Sequence, residues 1–188
     1  MAGDENSLHA FRLLASRLLA LTVAHPSAGL RLHFLERRRD RAVLASVAGP
    51  TAPLRLLDGR YLRVAVSLRL FDTDEGRRLK VVESSCQYQA DEVGKAWIVR
   101  YDYLRSASGA HPPGHLQLNG RLTAVPGVEV GRLHFPTGRV PLEAVIRLLV
   151  EEFGVPTNEE AELWRPVLAE SEAAFQAIAH RPLSGPAH

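Results

Sequence analysis

From Tyr61 to Leu70 the chain alternates without a break: Leu62, Val64, Val66, Leu68 and Leu70 fall on one side, and Tyr61, Arg63, Ala65, Ser67 and Arg69 on the other. A period of two fits a strand with one face on a core and the other turned to polar surroundings. It does not fit a helix, whose apolar residues recur every three to four positions. The Asp58-Gly59 pair ahead of it predicts a hairpin with a tight primed turn, joining a strand from Pro53 to Leu57 to one from Arg60 to Phe71. A half-buried strand needs neighbours, and the following sequence supplies them. Asp72 to Gly76 predicts a turn, Arg77 to Ala90 a long third strand, Asp91 to Lys95 a second turn, and Ala96 to Leu104 a fourth strand. Short links between consecutive strands predict an antiparallel meander.

Helical spacing appears at both ends. Residues 7–23 carry Leu8, Phe11, Leu14, Leu18 and Leu21 on one stripe, with Ser7 as a cap and His25-Pro26 as the stop. Gly29 to Leu35 alternates as a strand, and the apolar stretch 42–48 fits helix or strand. Ser106 to Gly114 reads as a loop, His115 to Leu118 and Val130 to Phe135 as short strands, and Pro136-Thr137-Gly138 as a turn. Pro141 then opens a helix striped by Leu142, Val145, Ile146, Leu149, Val150 and Phe153, which Gly154 ends. Thr157 or Asn158 caps a last helix lined by Trp164, Val167, Leu168, Ser171, Ala174, Phe175 and Ile178, with a kink or restart at Pro166. The expected fold is one α+β domain over residues 1–188. It has an N-terminal helix (1–28), a twisted antiparallel sheet (29–135), two C-terminal amphipathic helices (139–180) packed on one face, and a frayed tail (181–188).

The apolar runs are too short for a membrane span, and the acidic Asp4 and Glu5 do not suit a secretory signal. The lone cysteine, Cys86, has no internal disulfide partner, so a cytoplasmic protein without membrane association is expected. Charge is unevenly spread. Residues 1–140 hold 20 basic against 13 acidic residues, and 141–188 hold 3 against 8. A basic sheet region and an acidic helical end follow, although 21 of the 23 basic residues are Arg, which biased codon usage would also produce.

Residues able to do chemistry gather around the fourth strand. His111 and His115 flank a Pro-Pro-Gly loop, beside Arg100, Tyr101, Asp102, Tyr103 and Arg105. Histidine exchanges protons near neutral pH, arginine holds a phosphate by a charged fork, and tyrosine adds a donor or a stacking surface. That set suits metal-independent cleavage of a phosphodiester. Alternation, however, puts Arg100 and Asp102 on one face and Tyr101 and Tyr103 on the other. His134 and Arg139 form a second cluster at a glycine turn before a helix, where backbone N–H groups favour an anion. His111, His115 and His134 with Asp102 could also form a metal site, but no spacing matches a helical metal motif, so neither metal nor cofactor is expected. The catalytic candidates are therefore His111, His115, His134 and Tyr101, with Arg100, Arg105 and Arg139 as anion-binding candidates.

The strand ending in Gln87-Tyr88-Gln89, the Arg100-Tyr101-Asp102 stretch, the His111-Pro112 loop and the His115-Leu116-Gln117 strand together resemble the TumE-like toxin family of prokaryotic toxin–antitoxin pairs. The resemblance covers about residues 54–180, with Gln117 where that family usually has a second histidine. It implies a toxin-like protein with a partner antitoxin protein, and leaves the target open. Two functional expectations follow. One is a toxin-like ribonuclease acting on RNA; the other is a non-catalytic protein-interaction or ligand-binding module. An exposed strand such as Leu30 to Leu35 could also pair between copies and form a homodimer.

Overall fold

A computed structural model describes residues 2–25, 29–35, 40–74, 76–106, 112–120 and 135–178. Helix α1 (Ala2–Ala20) leads into strands β1 (Leu30–Phe34), β2 (Arg41–Ser46), β3 (Leu54–Arg55), β4 (Tyr61–Thr73), β5 (Gly76–Gln89), β6 (Trp97–Leu104), β7 (Gly114–Leu118) and β8 (Phe135–Thr137). Helices α2 (Leu142–Glu151) and α3 (Ala161–Ile178) follow. The strands form one antiparallel sheet in the order β1-β2-β4-β5-β6-β7-β8, with β3 paired to β4 beside that path. This is the expected α+β fold, with a twisted, unclosed sheet.

The alternation of β4 sets the layers. Leu62, Val64, Val66, Leu68 and Leu70 are all buried, and they join Leu79, Val81, Cys86, Tyr88, Val99 and Tyr103 on the same face. The helices cover that face with Leu8, Phe11, Ala15, Leu18, Ile146, Leu149, Trp164, Leu168 and Phe175. Phe11 and Phe175 stack tilted at 4.8 Å and tie α1 to α3. Each fully buried Leu or Phe contributes about 1.5–3 kcal/mol relative to exposure, so this single core dominates stability.

Several local expectations give way to longer-range contacts. Helix α1 begins before Ser7, so that residue lies inside the helix and does not cap it. The stretch read as helix or strand is β2. The Asp58-Gly59 hairpin has a three-residue loop, since Gly59 N–H donates to Leu56 O and Leu56 N–H to Arg60 O. Gly59, at φ +82°, supplies the left-handed residue such a loop needs. Pro136 and Thr137 belong to edge strand β8 and not to a turn, and an edge tolerates proline. Pro166 lies within α3, which runs on past it without restarting.

Asn158 caps a different helix from the one expected. Its side chain donates to Ala20 O (2.8 Å) and Val23 O (3.3 Å), and its backbone N–H to Leu21 O (2.8 Å), at the C-terminal end of α1. The first turn of α3 instead hangs from Glu160 O, which accepts from Leu163 and Trp164 N–H. The strand expected over residues 130–135 is described only at Phe135, and the expected tail at 181–188 lies outside the described residues.

Two groups on the core face are held protonated. Burial pushes the Cys86 thiol up from 9.0 to about 12, with a smaller contribution from the charge of Asp102. Burial also raises the Tyr88 hydroxyl from 10.0 to about 12, reinforced by its hydrogen bond to Asp58 and opposed by Arg60. That hydroxyl donates to Asp58 Oδ2 at 2.5 Å and accepts from Arg60 Nη1 at 2.9 Å, which pins the β3–β4 loop to β5. The folded state keeps both protons over a range where the unfolded chain has lost them. Their stabilisation is therefore complete below pH 9.0 and is lost as pH rises through 10.0 toward about 12. Urea titrations across that range are expected to show stability falling in the wild type and falling less in Cys86→Ala/Tyr88→Phe. An equal fall in both would refute this assignment.

Candidate functional site

The face of β5, β6 and β7 that points away from the helices carries the polar residues. Register places Ser85 opposite Asp102 and Asp102 opposite His115. The neighbouring row runs Arg63, Gln87, Arg100 and Gln117 across β4, β5, β6 and β7. Residues two apart on one strand share a face, so the two rows lie side by side.

Asp102 is the hub. Oδ1 accepts from Ser85 Oγ at 2.7 Å, and Oδ2 takes Arg100 Nε at 2.7 Å and stands 3.8 Å from His115 Nε2. The His115 ring lies between this carboxylate and Pro112 O, 3.4 Å from Nδ1. Both ring nitrogens thus face oxygen acceptors, and a neutral ring can offer a proton to only one of them at a time. The His115 side chain is 15% exposed and those of Asp102 and Arg100 are 28% and 34% exposed, so all three are partly open to solvent. Arg100 also donates through Nε and Nη2 to Gln117 Oε1 and lies 5.8 Å from the centre of the Trp97 ring. Among the described residues, nothing takes a hydrogen bond from its Nη1.

Beside this cluster runs a buried amide ladder. Arg63 Nη2 donates to Gln87 Oε1 (3.1 Å), Gln87 Nε2 to Gln89 Oε1 (2.8 Å), and Gln89 Nε2 to Asp91 O (2.8 Å) and Glu92 O (3.1 Å). The β5–β6 loop therefore folds back over the outer face. Gly94, at φ +79°, lies so close to these amides that an added Cβ would stand 3.1 Å from Gln87 Nε2. A buried amide with its bonds made is a fixed support, because leaving one unmade costs about 1–3 kcal/mol.

No family model matches the chain, and neither curated proteins nor solved structures provide a match.

The sequence-derived candidates separate in space. His115 and Arg100 come together, with Asp102 between them. Tyr101 is on the opposite side of β6, packed against the core, and burial raises its hydroxyl. Arg105 turns back on β5, where Nε donates to Val81 O at 3.0 Å and its N–H to Val82 O at 2.9 Å. Arg139 lines a small, partly open pocket of about 30 Å³ with Cys86, Glu143 and Phe175. His111 and His134 lie outside the described residues. Among the described residues, no three of His, Cys, Asp and Glu gather as a metal site. Sequence reasoning did not single out Ser85, Trp97 or the amide ladder. Strand register carries the signal for Ser85, which the bulge at Ile98 obscures.

Gly114 opens β7 next to this cluster. A Cβ there would lie 2.7 Å from both Thr137 O and Gly138 O, which are backbone atoms of β8 and the residue after it. Gly114→Ala is expected to lose about 1–3 kcal/mol in chemical denaturation, since the strands must part to admit the methyl group. A loss below about 0.5 kcal/mol, within the range of ordinary surface changes, would show that this close approach is not required.

Proposed function

We propose that the outer face of β5–β7 is the RNA-cleaving site of a toxin-like protein, which acts without a metal and is held in check by a partner antitoxin protein. The observation that carries this reading is the meeting of His115, Asp102 and Arg100 on adjacent strands. In this reading, His115 takes the proton of a ribose 2′-hydroxyl, and the oxygen attacks the adjacent phosphorus. The 5′-oxygen leaves and takes a proton from solvent water, giving a 2′,3′-cyclic phosphate and a 5′-hydroxyl, while the His115 imidazolium returns its proton to solvent. Asp102 orients the imidazole, Arg100 meets the phosphate through Nη1, and Trp97 offers a stacking surface for a base. The resemblance to TumE-like toxins and the basic balance of residues 1–140 point the same way.

A second reading, a non-catalytic binding module, is favoured by one feature of the same cluster. Arg100 and Asp102 already satisfy much of each other's hydrogen-bonding capacity, which suits a structural ladder as well as an anion site.

The deciding experiment is induced expression in a bacterial host, wild type beside His115→Ala, with total RNA examined. Purified proteins are incubated with RNA in EDTA in parallel. The catalytic reading expects growth arrest, RNA ending in 2′,3′-cyclic phosphate, and a loss of about 100-fold or more in folded His115→Ala. Arrest with intact RNA would discard the nuclease and keep the toxin. Folded protein that neither arrests growth nor cleaves RNA would favour the binding module.

A further inference from the structure

Strand β1 ends the described sheet on the side away from β7. Val47 N–H donates to Gly29 O (3.0 Å) and Leu35 N–H to Arg41 O (3.1 Å), so the odd-numbered residues of this segment face β2. In an antiparallel ladder the alternate residues point their N–H and C=O groups the other way. Leu30 and Leu32 therefore direct backbone donors and acceptors off the end of the sheet, where no described strand lies.

A groove of about 500 Å³ follows that edge, between β1 and α1. Its floor is apolar, from Leu30, Leu32 and Phe34, and its rim carries Arg12, Arg31 and His9 with no carboxylate among the described lining residues. Phe34 and Val47, which line it, are 38% and 51% exposed, and Leu35 just past it is 62% exposed. An open edge offers hydrogen bonds, the floor offers apolar contact, and the rim selects charge.

We propose that the β1 edge receives an extended segment of a partner protein as an added strand, and that this segment alternates apolar side chains with carboxylates. A second copy of this chain fits less well. Two-fold pairing of β1 with itself brings Arg12 and Arg31 of both copies to one seam with no carboxylate among the described residues that line it, and like charges brought together there are destabilising. The chain's own acidic stretch is largely helical in α3, and its Glu170 pairs with Arg17 at 3.3 Å. The groove is at the other end of the sheet from His115, so its occupant is separable from any chemistry there.

The test selects a phage-displayed library of random nine-residue peptides on the wild-type protein. The best peptide is then synthesised, and its binding is followed by fluorescence anisotropy and amide hydrogen exchange. Selected peptides are expected to be rich in Asp and Glu between apolar residues. Their binding should slow exchange at Leu30 and Leu32 about tenfold or more, and Arg12→Glu/Arg31→Glu should weaken it by a similar factor. The exchange measurement needs no variant and stands if the double reversal fails to fold. No selected peptide, a consensus without acidic bias, unchanged exchange at Leu30 and Leu32, or affinity within twofold in a folded double variant would each overturn the proposal. Sedimentation of the free protein as a dimer that protects those same amides would assign the edge to a second copy and overturn it as well.

Discussion

Everything in this fold hangs on the pairing of β4 with β5. These are the two longest strands, and their ladder runs from Tyr61–Gln89 to Thr73–Gly76. Pairing at that length fixes which side chains share a face, and a slip of one residue would turn every buried Leu and Val outward. The helices then have only one apolar surface to cover. The ladder is interrupted once, between Ser67 and Leu68, where Val82 is the extra residue on β5. This bulge turns the carbonyls of Val81 and Val82 toward Arg105, whose guanidinium and N–H close over them. An arginine that looks in sequence like a phosphate ligand is thereby engaged in finishing a strand.

The outer face follows a different logic from the core. Its side chains satisfy one another by hydrogen bonds, from Arg63 through the glutamines to the β5–β6 loop, and from Ser85 through Asp102 to Arg100. A row of this kind is rigid because each member holds the next, and burial strengthens each bond. Arg100 and Asp102 are more exposed than His115, and His115 ends the row that runs from Ser85 through Asp102. They are presented on a stiff support and not on a mobile loop, which is the arrangement that precise recognition requires.

Much of the fold was legible because it rests on periodicity. The alternation of Leu62 to Leu70 gave the faces of β4, and the spacing of Val145, Ile146 and Leu149 gave the buried side of α2. Alternation alone also puts Tyr101 on the opposite face from Arg100 and Asp102. What local pattern could not carry was anything decided between distant elements. Ile98 is an extra residue only because Gln89 pairs with Trp97 while Tyr88 pairs with Val99, and no residue in the stretch announces it. Asn158 has the composition of an N-cap, yet the open carbonyls at the end of α1 take its bonds. Nothing local to Gln87, Gln89 and Gln117 shows that they are covered, yet they are only 3%, 1% and 5% exposed. For Gln87 and Gln89 the β5–β6 loop, turning at Gly94, provides the cover.

The clamp from Asn158 onto the end of α1 spans 138 residues of chain. On a ribosome adding roughly 5–20 residues each second, the last turn of helix α1 is synthesised roughly 7–28 seconds before the residue that closes it. Over that interval Leu8, Phe11 and Leu18 have no α3 to rest against. The earliest of the described elements is thus among the last to be secured. A chain cut short before Asn158 would carry an apolar helix with an open end, the kind of surface that chaperones and proteases recognise.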